Sequence, residues 1–282
     1  MMGKPVFWAF LVALVALVPA TGWAGSASTN LAPGGGPVAL DQSIGDGSVG
    51  FFVDDQQVST NPIPSGGAII GVLLHESCFS GNQYCTSPGD LDHITIGNQT
   101  AIILGSINDP RCQSSSDCGG FALGSNGSGG LTLTVWWLPN VQGNPTIIDF
   151  VPSSGGQMWY GGMVASVFSG VPANASIDAV AGLGYAPTGA WNGDCCADGY
   201  LRSGPVTPSQ SGDLLYGAGS QYGTGPTAPG PGGWIASNVG PIGYFGKADE
   251  YLVYNSTAPV SAPLPASSGS VSWVMTVAVK LQ

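Results

Sequence analysis

Positive charge is almost missing from this chain. Five Lys and Arg stand against 16 Asp and Glu, and charged residues are 7% of the whole, where a soluble domain carries about 25%. Binding a phosphate backbone needs clustered cations, so nucleic acid is not expected as a partner, and the same acidity disfavours anionic membrane surfaces. Histidine is scarce as well, with His75 and His93 the only two. His75-Glu76 does not open an H-E-x-x-H zinc helix, because Phe79 occupies the place of the second histidine. Ser169, in Phe168-Ser169-Gly170, lacks the G-x-S-x-G spacing of a nucleophile elbow. A glycosidase needs two facing carboxylates, and nothing along the chain selects a pair. No apolar i, i+3, i+4 pattern lasts three turns, which excludes a helical core.

The apolar stretch Val6 to Val18, after Lys4 and before Gly22 and Ala24, reads as a secretory signal peptide over residues 1–24, with a cut after Ala20 as the alternative to one before Gly25. The run is short for a bilayer span, and no membrane insertion is expected after cleavage. Cleavage leaves 258 residues and, without Lys4, moves the formal charge from −11 to −12. All six cysteines, Cys78, Cys85, Cys112, Cys118, Cys195 and Cys196, lie in this exported part, where an even count points to disulfides. The near pairs Cys78/Cys85 and Cys112/Cys118 could each close a loop and leave Cys195/Cys196 as a vicinal pair, but the connectivity stays open. Zinc would need C-x2-C spacing and histidine partners that these cysteines lack.

Gly is abundant at 46 residues and Pro at 22. Residues 25–48, rich in Gly, Pro and Ser, read as an extended N-terminal arm without core periodicity. From Val49 on, short apolar runs alternate with turn residues, which predicts a single β-sandwich domain over 49–282. Leu131 to Leu138 sets Leu131, Leu133, Val135 and Trp137 on one face and Thr132, Thr134 and Trp136 on the other. Val271 to Leu281 opposes an apolar row, Val271, Trp273, Met275, Val277, Val279 and Leu281, to Ser272, Thr276 and Lys280, as one buried side requires. About a dozen such runs predict an all-β fold of two packed sheets, jelly-roll-like, with long disulfide-bonded loops.

The order of short motifs carries a resemblance. It runs from Ala68 to Leu74, through Ile-Thr-Ile-Gly-Asn at Ile94 to Asn98 and the aromatic-ended strand Leu131 to Leu138, to Val-Ala-Ser-Val-Phe-Ser-Gly-Val at Val164 to Val171. It continues with Ile-Asp-Ala-Val at Ile177 to Val180, Gly-Asp-Leu-Leu-Tyr-Gly-Ala-Gly at Gly212 to Gly219, Gly233-Trp234, Asp249-Glu250-Tyr251 and Trp273-Val274. This resembles a widespread group of bacterial exported β-sandwich modules of surface and secreted proteins. The resemblance implies an architecture and no activity. The cysteine-bearing stretches around Cys78 to Cys85, Arg111 to Cys118 and Trp191 to Tyr200 depart from that pattern as insertions.

No catalytic residue is assigned. The stretch Tyr185, Trp191, Asn192, Asp194, Asp198 and Tyr200 mixes aromatic faces with amide and carboxylate acceptors, the equipment for a neutral glycan. Acidic pairs at Asp90/Asp92 and Asp249/Glu250 are the candidates for a structural calcium ion. Asn98, Asn126, Asn174 and Asn255 each begin an N-x-[ST] sequon. The leading expectation is a non-catalytic secreted or cell-surface structural protein that assembles with itself by strand addition through the arm. A carbohydrate-binding module and a glycoside hydrolase are the alternatives.

Overall fold

The structure, a computed structural model, describes residues 30–31, 37–77, 89–108, 131–153, 155–185, 196, 198–223, 225–238, 245–267 and 272–281. Residues 1–24, and with them the expected signal peptide, lie outside this set. Among the described residues every regular element is a strand: β1 (Asn30–Leu31), β2 (Pro37–Asp46), β3 (Gly50–Val53), β4 (Gln56–Ser59), β5 (Ala68–Ser77), β6 (Leu91–Ile96), β7 (Gln99–Thr100), β8 (Ile102–Asn108), β9 (Leu131–Leu138), β10 (Ile147–Pro152), β11 (Met158–Ser169), β12 (Ser176–Tyr185), β13 (Tyr200–Arg202), β14 (Asp213–Tyr222), β15 (Ile235–Asn238), β16 (Phe245–Tyr254), β17 (Pro263–Pro265) and β18 (Ser272–Lys280). A seven-stranded sheet runs β1-β2-β11-β5-β9-β8, with β3 also paired to β11. A five-stranded sheet runs β12-β18-β14-β16-β15, a four-stranded one β4-β10-β6-β7, and β13 pairs with β17. The pairings are antiparallel.

The described residues are all-β, as expected, and form four antiparallel sheets, the two largest packed face to face as a sandwich and the others added to their outer faces. One face of the seven-stranded sheet, with Ile70, Val72, Val135, Trp137 and Val164, packs on Tyr216, Tyr251, Trp273, Met275 and Val277 of the five-stranded sheet. Its other face, with Ile69, Leu73, Trp136 and Tyr160, packs on Ile94, Ile96, Ile148 and Phe150 of the four-stranded sheet. The outer side of the five-stranded sheet is covered in turn by Leu201 and Leu264 of β13 and β17 and by Val206, Trp234 and Ala262.

This stacking explains where the alternation argument stopped short. All eight residues of β9 are buried, and Trp136 meets Phe150 edge-on at 6.2 Å in the second core. In β18, Ser272 and Thr276, expected on the open side, are fully buried, and Thr276 Oγ1 accepts from the Ala262 amide at 2.9 Å. A period of two marks one apolar face. Small hydroxyls on the other face can be covered too, once a further layer brings them partners.

Residues 37–46, within the segment expected as an arm outside the sandwich, are extended but belong to the sheet of their own chain. β2 pairs with β11 from Ala39 opposite Ser169 to Asp46 opposite Met163. A register shift beside Asp41 sends Val38 and Leu40 into the core between the two large sheets and Ile44 into the core beneath. One extra residue reverses which face a side chain takes, so residues in phase in the sequence enter different cores.

Candidate functional site

The side chains that join most elements meet where β2 passes β15. Asp249, on the inward face of β16 between Phe245 and Tyr251, is fully buried. Its Oδ2 accepts from Ser166 Oγ of β11 at 2.7 Å and from Tyr216 OH of β14 at 2.9 Å. Its Oδ1 accepts from the Asn238 amide at 2.8 Å and from Asn238 Nδ2 at 2.7 Å. Burial pushes the Asp249 pKa up, and these donors pull it back. Four donors satisfy a carboxylate that would otherwise be prohibitive in a core.

From this centre the bonds reach β2. Asn238 Nδ2 also donates to the Ile44 and Ala165 carbonyls, each at 3.3 Å. Ser43 Oγ donates to the Ser237 carbonyl at 2.8 Å and lies 3.1 Å from Ser237 Oγ, which is bonded in turn to Ser166 Oγ. The far end of β2 is held separately: Asp46 Oδ2 accepts from Tyr160 OH at 2.8 Å and from Ser48 Oγ at 2.8 Å, and Oδ1 accepts from the Ser48 amide at 2.9 Å. Beside it, Gly162 has φ +94°, and a Cβ there would come within 2.5 Å of the Asp46 carbonyl and 2.9 Å of Lys247 Nζ. Any other residue at that bulge would be strained and would push β2 off β11. The arrangement is a polar latch that fastens β2 to both large sheets.

A second polar row crosses the seven-stranded sheet. His75 Nε2 is 2.9 Å from Thr134 Oγ1, which is 2.7 Å from Ser106 Oγ on the edge strand β8. His75 Nδ1 stands 3.4 Å from Asp90 Oδ1, longer than a good hydrogen bond. Burial lowers the His75 pKa to about 4, with Asp90 opposing, so the ring is neutral at pH 7. Thr134 is 1% exposed, so the hydroxyl bonded to the imidazole does not face solvent. The row acts as a tie between β5, β9 and β8, buried at His75 and Thr134 and exposed at Ser106.

The residues expected for calcium fall in two separate places. Asp249 and Glu250 are neighbours on one strand and point to opposite faces of the five-stranded sheet, where Glu250 accepts from the Gly230 amide at 2.6 Å. Alternation along a strand keeps the two carboxylates from sharing one ion. Asp90 lies beside His75, while Asp92 bonds His93 Nδ1 at 2.8 Å. Among the described residues no group of three or more His, Cys, Asp or Glu could hold a metal ion.

Of the expected glycan stretch, Trp191, Asn192 and Asp194 lie outside the described residues, as do Cys78, Cys85, Cys112, Cys118 and Cys195. Tyr185 is the last residue of β12, and nothing is described of its side chain. Asp198 pairs with Arg202 and accepts from the Tyr200 amide at 3.2 Å. The Arg202 guanidinium lies 5.0 Å from the Tyr200 ring centroid, so this aromatic face already carries a cation from its own strand.

The latch residues Ser43, Ser166, Tyr216, Ser237 and Asn238 were missed from the sequence, since the partners are as far apart as 194 positions. One trace was legible. Asp249 falls on the same alternating face as Phe245, Tyr251 and Val253, and an acid on an apolar face needs donors.

Fold and latch together define a protein of stacked antiparallel β-sheets in which β2, a strand of the seven-stranded sheet, is also hydrogen-bonded to the five-stranded one. No family model, no curated protein and no solved structure matches the chain.

Proposed function

We propose that the protein is a non-catalytic, exported structural component that assembles with copies of itself by exchanging β2. In this reading residues 1–24 are removed on export, the chain acts as a secreted or cell-surface β-sandwich of jelly-roll-like connection, and the cysteines form disulfides that close its loops. The disulfide-bonded state of Cys196 supports the last point.

The observation that carries the proposal is the seating of β2. The strand follows only β1 among the described residues, supplies Val38, Leu40 and Ile44 to two cores, and lines β11 over seven register pairs. Yet only Gly47, Ser48 and Val49 join it to β3, which continues along the same edge of β11. A strand near the edge of its sheet, joined onward by a short connector, can fill the same place in a second copy, because the ladder and the pockets are identical in both. Strand exchange then needs no new surface.

The test is complementation. A chain lacking residues 25–46 is expected to take up a synthetic peptide of residues 37–46 in a one-to-one complex, with recovery of a cooperative thermal transition. A shortened chain that melts like the full one and ignores the peptide would sink the proposal.

A further inference from the structure

We infer that Asn98, Asn174 and Asn255 carry N-linked oligosaccharide, all at one end of the sheet stack. The inference rests on the exported reading, since oligosaccharyl transfer meets a chain during or after its passage out of the cytoplasm. Each residue begins a sequon, Asn98-Gln99-Thr100, Asn174-Ala175-Ser176 and Asn255-Ser256-Thr257. Asn98 lies in the turn between β6 and β7, Asn174 in the connection from β11 to β12, and Asn255 directly after β16. In each, the asparagine and the hydroxyl residue two places on are both exposed.

The use of the side chains separates these asparagines from others. Asn140 and Asn144, both at positive φ, accept from Gln142 Nε2 and from the Ser65 amide, and Asn238 serves the latch. Those carboxamides hold the fold. The sequon carboxamides enter no hydrogen bond among the described residues, so a sugar on Nδ2 would displace nothing.

Their position is shared. Asn174 follows the end of β11, and Ser176 pairs with Lys280. Next to it Leu214 pairs with Val279, and Asp213 with Tyr254, which brings Asn255 to the same end. The turn with Asn98 is tied to the connection that leaves β9 at Leu138, where Gln99 Nε2 donates to the Asn140 carbonyl at 3.3 Å. Leu138 pairs with Ile69, one residue from the pair of Ala68 with Phe168, again at the end of β11. The strands β5, β8 and β12, which precede the cysteine-bearing segments, run the other way and finish at Ser77, Asn108 and Tyr185. Sugar at one end therefore leaves uncovered the end where β5, β8 and β12 finish.

In the transfer the asparagine Nδ2 bonds the anomeric carbon of a phosphate-linked oligosaccharide, the carbon–oxygen bond to phosphate breaks, and the amide proton leaves to a base of the transferase. Intact mass and glycopeptide spectra of the protein exported by its own cells test the inference. The expected result is three oligosaccharide increments on these peptides, one lost with each of Asn98→Gln, Asn174→Gln and Asn255→Gln, and none on Asn61, which Pro62 follows. Unmodified peptides from a chain that starts at Gly25 overturn this inference alone. Unmodified peptides from a chain that keeps residues 1–24 overturn the exported reading with it.

Discussion

Replacing Lys247 with Met is expected to stabilise the protein at neutral pH by about 2 kcal/mol and to remove its main alkaline dependence. Lys247 points from β16 into the core beside Gly162, is fully buried, and donates only to the Phe245 carbonyl at 2.8 Å. Among the described residues no carboxylate lies within salt-bridge distance of it. Burial lowers its pKa from 10.5 to about 7, although Asp46 pulls the other way. Between those two values the unfolded chain holds a proton that the folded chain has released. Stability should therefore rise with pH across that window, by about 1.4 kcal/mol per unit, and Lys247 adds no slope below it.

Other groups bound the measurement. Burial raises Glu250 to about 7 and Asp213 to about 6, so the folded chain keeps their protons longer, and that stability is lost as pH rises from about 4 to 7. Tyr160 and Tyr216 are raised by burial and by the carboxylates they touch, so the unfolded chain alone ionises there above about pH 10 and stability falls again. Between pH 7.5 and 9.5 Lys247 dominates. Urea unfolding at those two values should show a gain of about 2–3 kcal/mol in the native chain and almost none in Lys247→Met. An equal gain in both would show that the amine is charged and solvated when folded.

The other large effect belongs to the latch. Asp249→Ala should cost about 3–5 kcal/mol, because Ser166, Tyr216 and both Asn238 donors would lose their common acceptor inside the core. Tyr216→Phe removes one donor and should cost about 1 kcal/mol. In the double variant, Tyr216→Phe should add almost nothing to Asp249→Ala, since the acceptor is already gone. Amide exchange adds a spatial readout: the alanine variant should lose protection along residues 39–46 before β9 or β18 does. A loss below about 1 kcal/mol, with residues 39–46 as protected as in the parent, would mean that Asp249 does not clamp β2.

The fold class was legible because β9 and β18 alternate cleanly on one face. The number of layers was not, because Trp136, Thr134, Ser272 and Thr276 look like a solvent side until another sheet covers them. β2 hid for a different reason. Polar Asp41, Gln42 and Ser43 separate Leu40 from Ile44, and Gly and Pro precede them, so the apolar alternation is too short to register as a strand. The divergence of Asp249 and Glu250 was not legible either, since nearness in sequence is not nearness in space. On a strand adjacent carboxylates diverge, and Asp249 spends its lone pairs on its own core while Glu250 faces another.

The exchange of β2 is tested most directly by placing its two ladder partners on different copies. Ala39 and Ser169 face each other between β2 and β11, close enough for a disulfide if both were cysteine. Chains carrying only Ala39→Cys and chains carrying only Ser169→Cys would be produced together and oxidised. Exchange predicts a covalent dimer, identified by a peptide joining positions 39 and 169. Its absence from the mixture, with ready formation of the bond when both cysteines share one chain, would confine β2 to its own sheet and contradict assembly by this strand.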